Sequence, residues 1–320
     1  LRFILRTMLA MEGIGACLFA IRFIPDYGLL RGTWYSIFHA ISAFCNAGFD
    51  LMGHWQPYSS MTRYADDPLV LGTVMALIVL GGIGFFVWDD IAKNQWHFRN
   101  YTLQTKVVLT TTALLLILPF LWFWLCEFVH WNGMSTGKQA LSALFQTVCP
   151  RTAGFNNVDL NQLSGGSKLL TILLMLVGGS PSSTAGGIKT TTLAILLLAL
   201  RAAFTSDHQV HCFGRRIPAQ VITRTLVVSV LYGTLFLAAS MALIQLEPVT
   251  MEEALFECAS AIGTVGLTLG ITPELGAVSK GILILLMYLG RVGGLTLVYA
   301  VSGTGKRLHY TLPEESIGIG

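Results

Sequence analysis

Charge is what this chain lacks most. Only 12% of its 320 residues are Asp, Glu, Lys or Arg, about half the share found in a soluble globular domain. That deficit excludes a disordered chain, which stays solvated by charge, and a charge-laced coiled coil. The net charge of +3 is too small and too dispersed for a nucleic-acid surface. The six cysteines (Cys17, Cys45, Cys126, Cys149, Cys212 and Cys258) stand mostly in apolar runs with no regular spacing, so no disulfide framework is expected. Phosphate loops are missing too. In Gly187-Ile188-Lys189 an isoleucine separates the glycine from the lysine, and in Gly305-Lys306-Arg307 the lysine precedes Arg rather than Ser or Thr. What abounds instead is apolar: 53% hydrophobic residues with 33 glycines and 18 phenylalanines, and a mean hydropathy of +0.65. These values describe an all-α integral membrane protein, because helices packed in lipid tolerate Gly and aromatic residues freely.

A membrane helix needs roughly 20 apolar residues. The stretches near 5–24, 69–88, 107–128, 225–246 and 278–301 meet or approach that length. A sixth, 167–204, would make roughly 57 Å of straight helix at 1.5 Å per residue, too much for one crossing. It is interrupted by Gly178-Gly179-Ser180-Pro181-Ser182-Ser183-Thr184-Ala185-Gly186-Gly187, which predicts one span with a non-helical break at membrane depth. Three shorter amphipathic segments, 33–45, 136–149 and 251–263, suit re-entrant half-helices. Each runs into a glycine turn followed by a bulky apolar residue: Asn46-Ala47-Gly48-Phe49, Thr152-Ala153-Gly154-Phe155 and Thr264-Val265-Gly266-Leu267.

The three glycines are 106 and 112 residues apart. The chain therefore reads as an internal repeat of helix, half-helix, glycine turn and helix, in units 1–88, 89–204 and 205–320. Lysine and arginine bias sets orientation. Eleven (Arg2, Arg6, Lys93, Arg99, Lys106, Arg201, Arg215, Arg216, Arg224, Lys306 and Arg307) fall at the chain ends and inter-repeat loops, against six on the other side. Both ends of this chain are thus expected on the cytoplasmic side of the membrane, with the half-helices entering from outside.

A half-helix followed by an extended glycine turn is the physical recipe for an ion filter. Turn carbonyls replace an ion's hydration shell, and the carbonyl end of the helix favours a cation. The ordinary alternative, a glycine-capped reversal between helices, does not explain three copies at matched positions. A secondary transporter with broken helices remains the second class. An intramembrane serine enzyme using Ser180, Ser182 or Ser183 is the third, and lacks a base, His39 lying on a half-helix. His208, His211 and Cys212 form too small a set for a metal site.

The stretches SAFCNAGFD (42–50), RTAGFNNVDL (151–160), GGSPSSTAGGIK (178–189) and TVGLTLGITPEL (264–275), with the ending PEESIGIG (313–320), resemble the Trk/Ktr/HKT superfamily of potassium transporters. The likeness is strongest to its bacterial KtrB-type membrane subunits. It implies four helix–pore helix–filter loop–helix units around a central pore, of which 1–88, 89–204 and 205–320 correspond to the second, third and fourth. The first unit and its filter are expected in a longer protein. The resemblance makes Gly48, Gly154 and Gly266 the filter glycines, with K⁺ held at the backbone carbonyls of Asn46, Ala47, Thr152, Ala153, Thr264 and Val265. It makes 178–187 an intramembrane gating loop and Arg291 a barrier below the filter. It further implies K⁺ uptake across a bacterial plasma (inner) membrane, Na⁺ as a second ion, no organic cofactor in this chain, a lipid-embedded homodimer, and a cytosolic RCK (KtrA-type) nucleotide-binding ring. A coupled Na⁺/K⁺ symporter is the alternative; neither is an enzyme. Glu12 is expected either to hydrogen-bond its own half-helix or to serve the ion, and Arg151 is expected to brace the neighbouring loop through backbone carbonyls.

Overall fold

The computed structural model describes residues 2–95, 97–131, 133–205 and 209–293. Eleven α-helices dominate these residues. In the first unit, α1 (Arg2–Tyr27) reverses at Gly28 into the shorter α2 (Leu29–Phe44), and α3 (Pro68–Ile83) is followed by α4 (Phe85–Asn94). In the second, α5 (Leu103–Trp122) continues as a π turn, Phe123–Glu127, and a 3₁₀ turn, Phe128–His130. Then come α6 (Thr136–Val148), α7 (Gly165–Leu176) and α8 (Thr190–Phe204). The third comprises α9 (Ala219–Leu246), α10 (Met251–Gly263) and α11 (Ala277–Val292). A two-residue-per-strand hairpin, β1 (His211–Cys212) and β2 (Arg215–Arg216), precedes α9.

Local chemistry sets where these helices begin. Asp67 caps α3, its Oδ1 accepting from the Leu69 and Val70 amides, with Pro68 in the first turn, where its missing N–H costs nothing. Thr250 and Glu253 form a reciprocal capping box on α10. Thr102 and Ser164 cap α5 and α7 through the amides of Thr105 and Ser167.

Three helices, Arg2–Tyr27, Leu103–His130 and Ala219–Leu246, are long and apolar enough to cross a bilayer among the described residues. The expected straight span over 69–88 is corrected: the chain turns by 89° between α3 and α4. Gly84 makes the turn at φ +99°, and a Cβ there would lie 2.6 Å from the Pro181 carbonyl oxygen. The expected break in 167–204 is present, with α7 ending at Leu176 and α8 starting at Thr190. The part of the expected span 278–301 after Gly293, His208 and the 313–320 ending lie outside the described residues.

Beside a small cluster of Ile83, Val87 and Val108 between α3, α4 and α5, the apolar side chains of the described residues gather in two large cores. One joins α1, α2, α3 and α6 around Phe19, Phe23, Phe44, Phe145 and Phe155. The other joins α7, α9, α10 and α11 around Met175, Leu243, Phe256 and Leu286. Phe145 and Phe155 of the second unit stand in the first core, and Leu174 of the same unit stands in the other. The second unit therefore mortises the first to the third, which brings the three glycine turns together.

Candidate functional site

Each short helix ends in the same backbone figure. Asn46, Thr152 and Thr264 take left-handed φ values of 50°, 67° and 52°, and the glycines two residues on take 71°, 78° and 96°. Two left-handed residues separated by one ordinary residue turn the chain away from the helix while leaving its next carbonyls free of the helical ladder. The amides of the middle residues fold back: Ala47 N donates to Ser42 O (2.9 Å), Ala153 N to Cys149 O (3.1 Å) and Val265 N to Ser260 O (2.8 Å). Serines brace two of the turns further. Ser42 Oγ donates to Phe49 O (2.7 Å), and Ser260 Oγ accepts from Gly266 N (3.0 Å).

The turns touch one another in a consistent direction. A Cβ at Gly48 would lie 2.3 Å from Ala153 O, and one at Gly154 would lie 2.0 Å from Val265 O. Each glycine thus abuts the middle carbonyl of the next turn, at a separation that admits no side chain. Gly266 has open space around its Cα, and Phe49 is 69% exposed whereas Phe155 and Leu267 are buried.

Beneath the turns runs the loop between α7 and α8. Its ends are stitched together by Gly178 N donating to Ile188 O (2.8 Å) and Thr190 N donating to Gly179 O (3.1 Å). The loop reaches all three turns. Thr184 Oγ1 donates to Phe44 O (3.0 Å) at the end of α2 and lies 3.3 Å from Asn46 Oδ1. A Cβ at Gly178 would meet Thr152 Cγ2 at 3.0 Å, and one at Gly186 would meet Thr264 Oγ1 at 2.1 Å. Ser180 N donates to Gly82 O (2.9 Å) and Phe85 N to Ser182 O (3.0 Å), so the α3–α4 bend also holds the loop. Arg291, expected as an isolated basic residue in an apolar helix, donates from Nη1 to Thr184 O at 2.9 Å. Lys189 Nζ donates to Ala185 O (2.6 Å). Two cationic side chains therefore terminate on carbonyls of the segment under the turns.

Several of these roles were not legible beforehand. Asn46 carries more than backbone: its Nδ2 donates to Thr152 Oγ1 (3.3 Å) and reaches Arg151 O (3.5 Å), while its Oδ1 faces Thr184. One amide thus ties the first turn to the second turn and to the loop. Arg151 departs from its expected bracing role, because its buried Nε has no hydrogen-bond partner. Cys45 Sγ lies 3.9 Å from Glu12 Oε1, placing Glu12 against the end of its own half-helix, one of its two expected roles. His39 is fully buried, with Nδ1 2.7 Å from Tyr35 O and Nε2 accepting from Leu51 N at 3.3 Å. With both nitrogens engaged in backbone, it has no free base to lend. Ser180 Oγ pairs with Thr190 Oγ1 at 3.0 Å. No group of three or more metal-ligating side chains occurs among the described residues.

Residues 4–305 match the model of a family described as TrkH: Cation transport protein. The chain is 40% identical, over an alignment of 329 residues, to the potassium/sodium uptake protein NtpJ of Enterococcus hirae, covering 99% of this chain and 71% of that protein. It is 37% identical to the Ktr system potassium uptake protein B of Vibrio alginolyticus, covering 98% of this chain and 68% of the relative. Among solved structures, the potassium transporter TrkH from Vibrio parahaemolyticus superposes with a TM-score of 0.74 at 21% identity. That match takes in 91% of this chain and 62% of the other, so this chain spans less than two thirds of that solved chain. At that identity the likeness carries the fold.

Proposed function

The chain belongs to the TrkH family of cation transport proteins, a transporter family and not an enzyme family, and from that premise we propose that it supplies three quadrants of a potassium-selective uptake pore. The observation that carries this reading is the directional contact between turns, Gly48 on Ala153 O and Gly154 on Val265 O. Contacts of that kind around an axis line it with carbonyls. In this reading K⁺ is held by the carbonyls of Asn46, Ala47, Thr152, Ala153, Thr264 and Val265, which replace its hydration shell. The partial negative charge at the ends of α2, α6 and α10 favours the cation there.

Gly266 and Phe49 would then receive the fourth quadrant, from a further unit of the same kind, which is why the units 1–88, 89–204 and 205–320 are read as the second to fourth of four. The segment 178–187 acts as the gate and Arg291 as its latch. A guanidinium below the filter repels an entering cation, and in a poorly screened interior that repulsion is worth several kcal/mol. Opening requires the loop to leave Thr152, Thr264 and Asn46 together, an all-or-none change suited to control from outside the membrane. A homodimer docked on a cytosolic nucleotide-binding ring of the RCK type, with both ends of this chain cytoplasmic in a bacterial inner membrane, completes the proposal.

The test is growth of a bacterium lacking its own K⁺ uptake systems, carrying the full-length gene with and without such a ring subunit. Rescue at low K⁺ is expected; failure in a well-expressed membrane protein with the ring supplied would refute it. The second reading, Na⁺-coupled K⁺ symport, draws on the broken α7–α8 helix and on the potassium/sodium name of the Enterococcus hirae relative. A fixed Na⁺:K⁺ flux ratio in proteoliposomes would favour it over a selective pore.

A further inference from the structure

Apart from the turns and the loop, the molecule carries a cavity of about 660 Å³ enclosed by α5, α7 and α8 and lined by Leu114, Leu118, Leu173, Leu193 and Leu197, with Phe213 at one end. Its lining is almost wholly apolar, and Leu114, Leu118, Leu173 and Leu197 are exposed on the outer face of the helices. Phe213 sits in the hairpin turn between β1 and β2 at φ +49°, a left-handed position that a bulky side chain occupies only when something holds it. The holder is Phe98, whose ring meets that of Phe213 edge-on at 5.9 Å.

That end of the cavity is basic. Lys106 lies in the first turn of α5, its Nζ donating to Arg99 O (2.8 Å) and standing 5.9 Å from the Phe98 ring centre, and Arg201 lies in the last turn of α8, whose Leu197 and Leu198 line the same cavity as Cys212. Arg215 pairs across the hairpin with Cys212, and Arg216 with His211. None of these four cations forms an ion pair among the described residues. The nearby acids are otherwise engaged: Asp89 with Lys93, and Asp90 with Thr102 and Asn94. Lys106 and Arg201 stand at the ends of two apolar helices, beside the Phe213 end of the apolar slot.

We infer that this is a binding site for an anionic phospholipid, with one acyl chain in the cavity between α5, α7 and α8 and the phosphate on Lys106, Arg201 and Arg215, the last sharing the hairpin face of the cavity-lining Cys212 while Arg216 stands on the opposite face. The charge of the mouth selects the headgroup, since a basic pocket between membrane helices discriminates by phosphate charge. The slot is walled by both halves of the broken helix, so its occupant rests on the two struts from which the 178–187 loop hangs. The site stands whether or not the chain conducts potassium.

Native mass spectrometry of the full-length protein in mild detergent, with phosphatidylglycerol and phosphatidylethanolamine added in turn, tests it. The wild type is expected to retain phosphatidylglycerol preferentially. Arg215→Gln, on a hairpin outside the helices, should lower that retention about fivefold and leave phosphatidylethanolamine unchanged, whereas Arg216→Gln, the same charge change on the other face, should lower it less. Ala194→Trp, which fills the slot, should displace both lipids. Equal retention of the two lipids by the wild type, or retention indifferent to Arg215→Gln, would overturn the inference. So would cross-linking of Leu118→Cys to a second copy, which would show that face covered by protein.

Discussion

At the scale of single residues, the account rests on glycines whose missing side chain leaves room for a neighbour's carbonyl. Gly154→Ala adds a methyl 2.0 Å from Val265 O at a left-handed φ, so the second and third turns must part. We expect K⁺-over-Na⁺ selectivity to fall by at least about tenfold, measured as the ratio of uptake rates, because the filter loses its coordinating geometry. Asn46→Leu removes the one side chain that joins two turns and the loop. It strands the buried hydroxyl of Thr152, and a loss of about 1–3 kcal/mol is expected, read as a lowered melting temperature in detergent. The glycines and their spacing were legible in the sequence because a positive φ leaves few residue choices. The Asn46 bridge was not, since its partner lies 106 positions away and no local periodicity encodes it. Arg151 shows the same boundary: its burial follows from tertiary packing, and its Nε ends unpartnered where donation to the loop was the natural expectation.

Among elements, the broken α7–α8 helix and the three half-helices could be read from length against bilayer thickness, because hydrocarbon dictates how long a crossing must be. The bend between α3 and α4 could not be placed that way. Its apolar run is unbroken in hydropathy, and the turn arises from Gly84 meeting Pro181 of a loop far along the chain. The loop itself makes a sharp prediction. Arg291→Gln removes a charged donor from Thr184 O and, on the proposed mechanism, the cationic barrier with it. Basal K⁺ flux into proteoliposomes should rise severalfold, and no rise would separate Arg291 from the gate. A second link joins α9 to α11: Glu247 accepts from Ser279 Oγ (2.6 Å) and Gly276 N (2.8 Å). These bonds, the Ser279 hydroxyl first, hold its carboxyl below the usual carboxylate range. A depressed folded-state pKa contributes stability that is present above the unfolded value of about 4.3 and is lost as pH falls through the folded value. Thermal melts should therefore show a stability loss on acidification below about pH 4 that Glu247→Gln diminishes.

For the molecule as a whole, three units of one pattern are mortised by shared cores so that Gly48 and Gly154 each meet the next unit's carbonyl while Gly266 faces open space. Internal repetition made this architecture readable, since a period seen three times in sequence becomes an axis in space. The direction of the contacts, and the way one loop spans the underside of all three turns, belong to the assembled structure alone. The most direct test of the central claim is the K⁺/Na⁺ permeability ratio of the full-length protein in proteoliposomes, with and without Gly154→Ser. The account predicts a K⁺-selective wild type and a serine variant that admits Na⁺ or loses flux altogether. A variant with wild-type selectivity and flux would contradict it, and would take the glycine turns out of the ion's path.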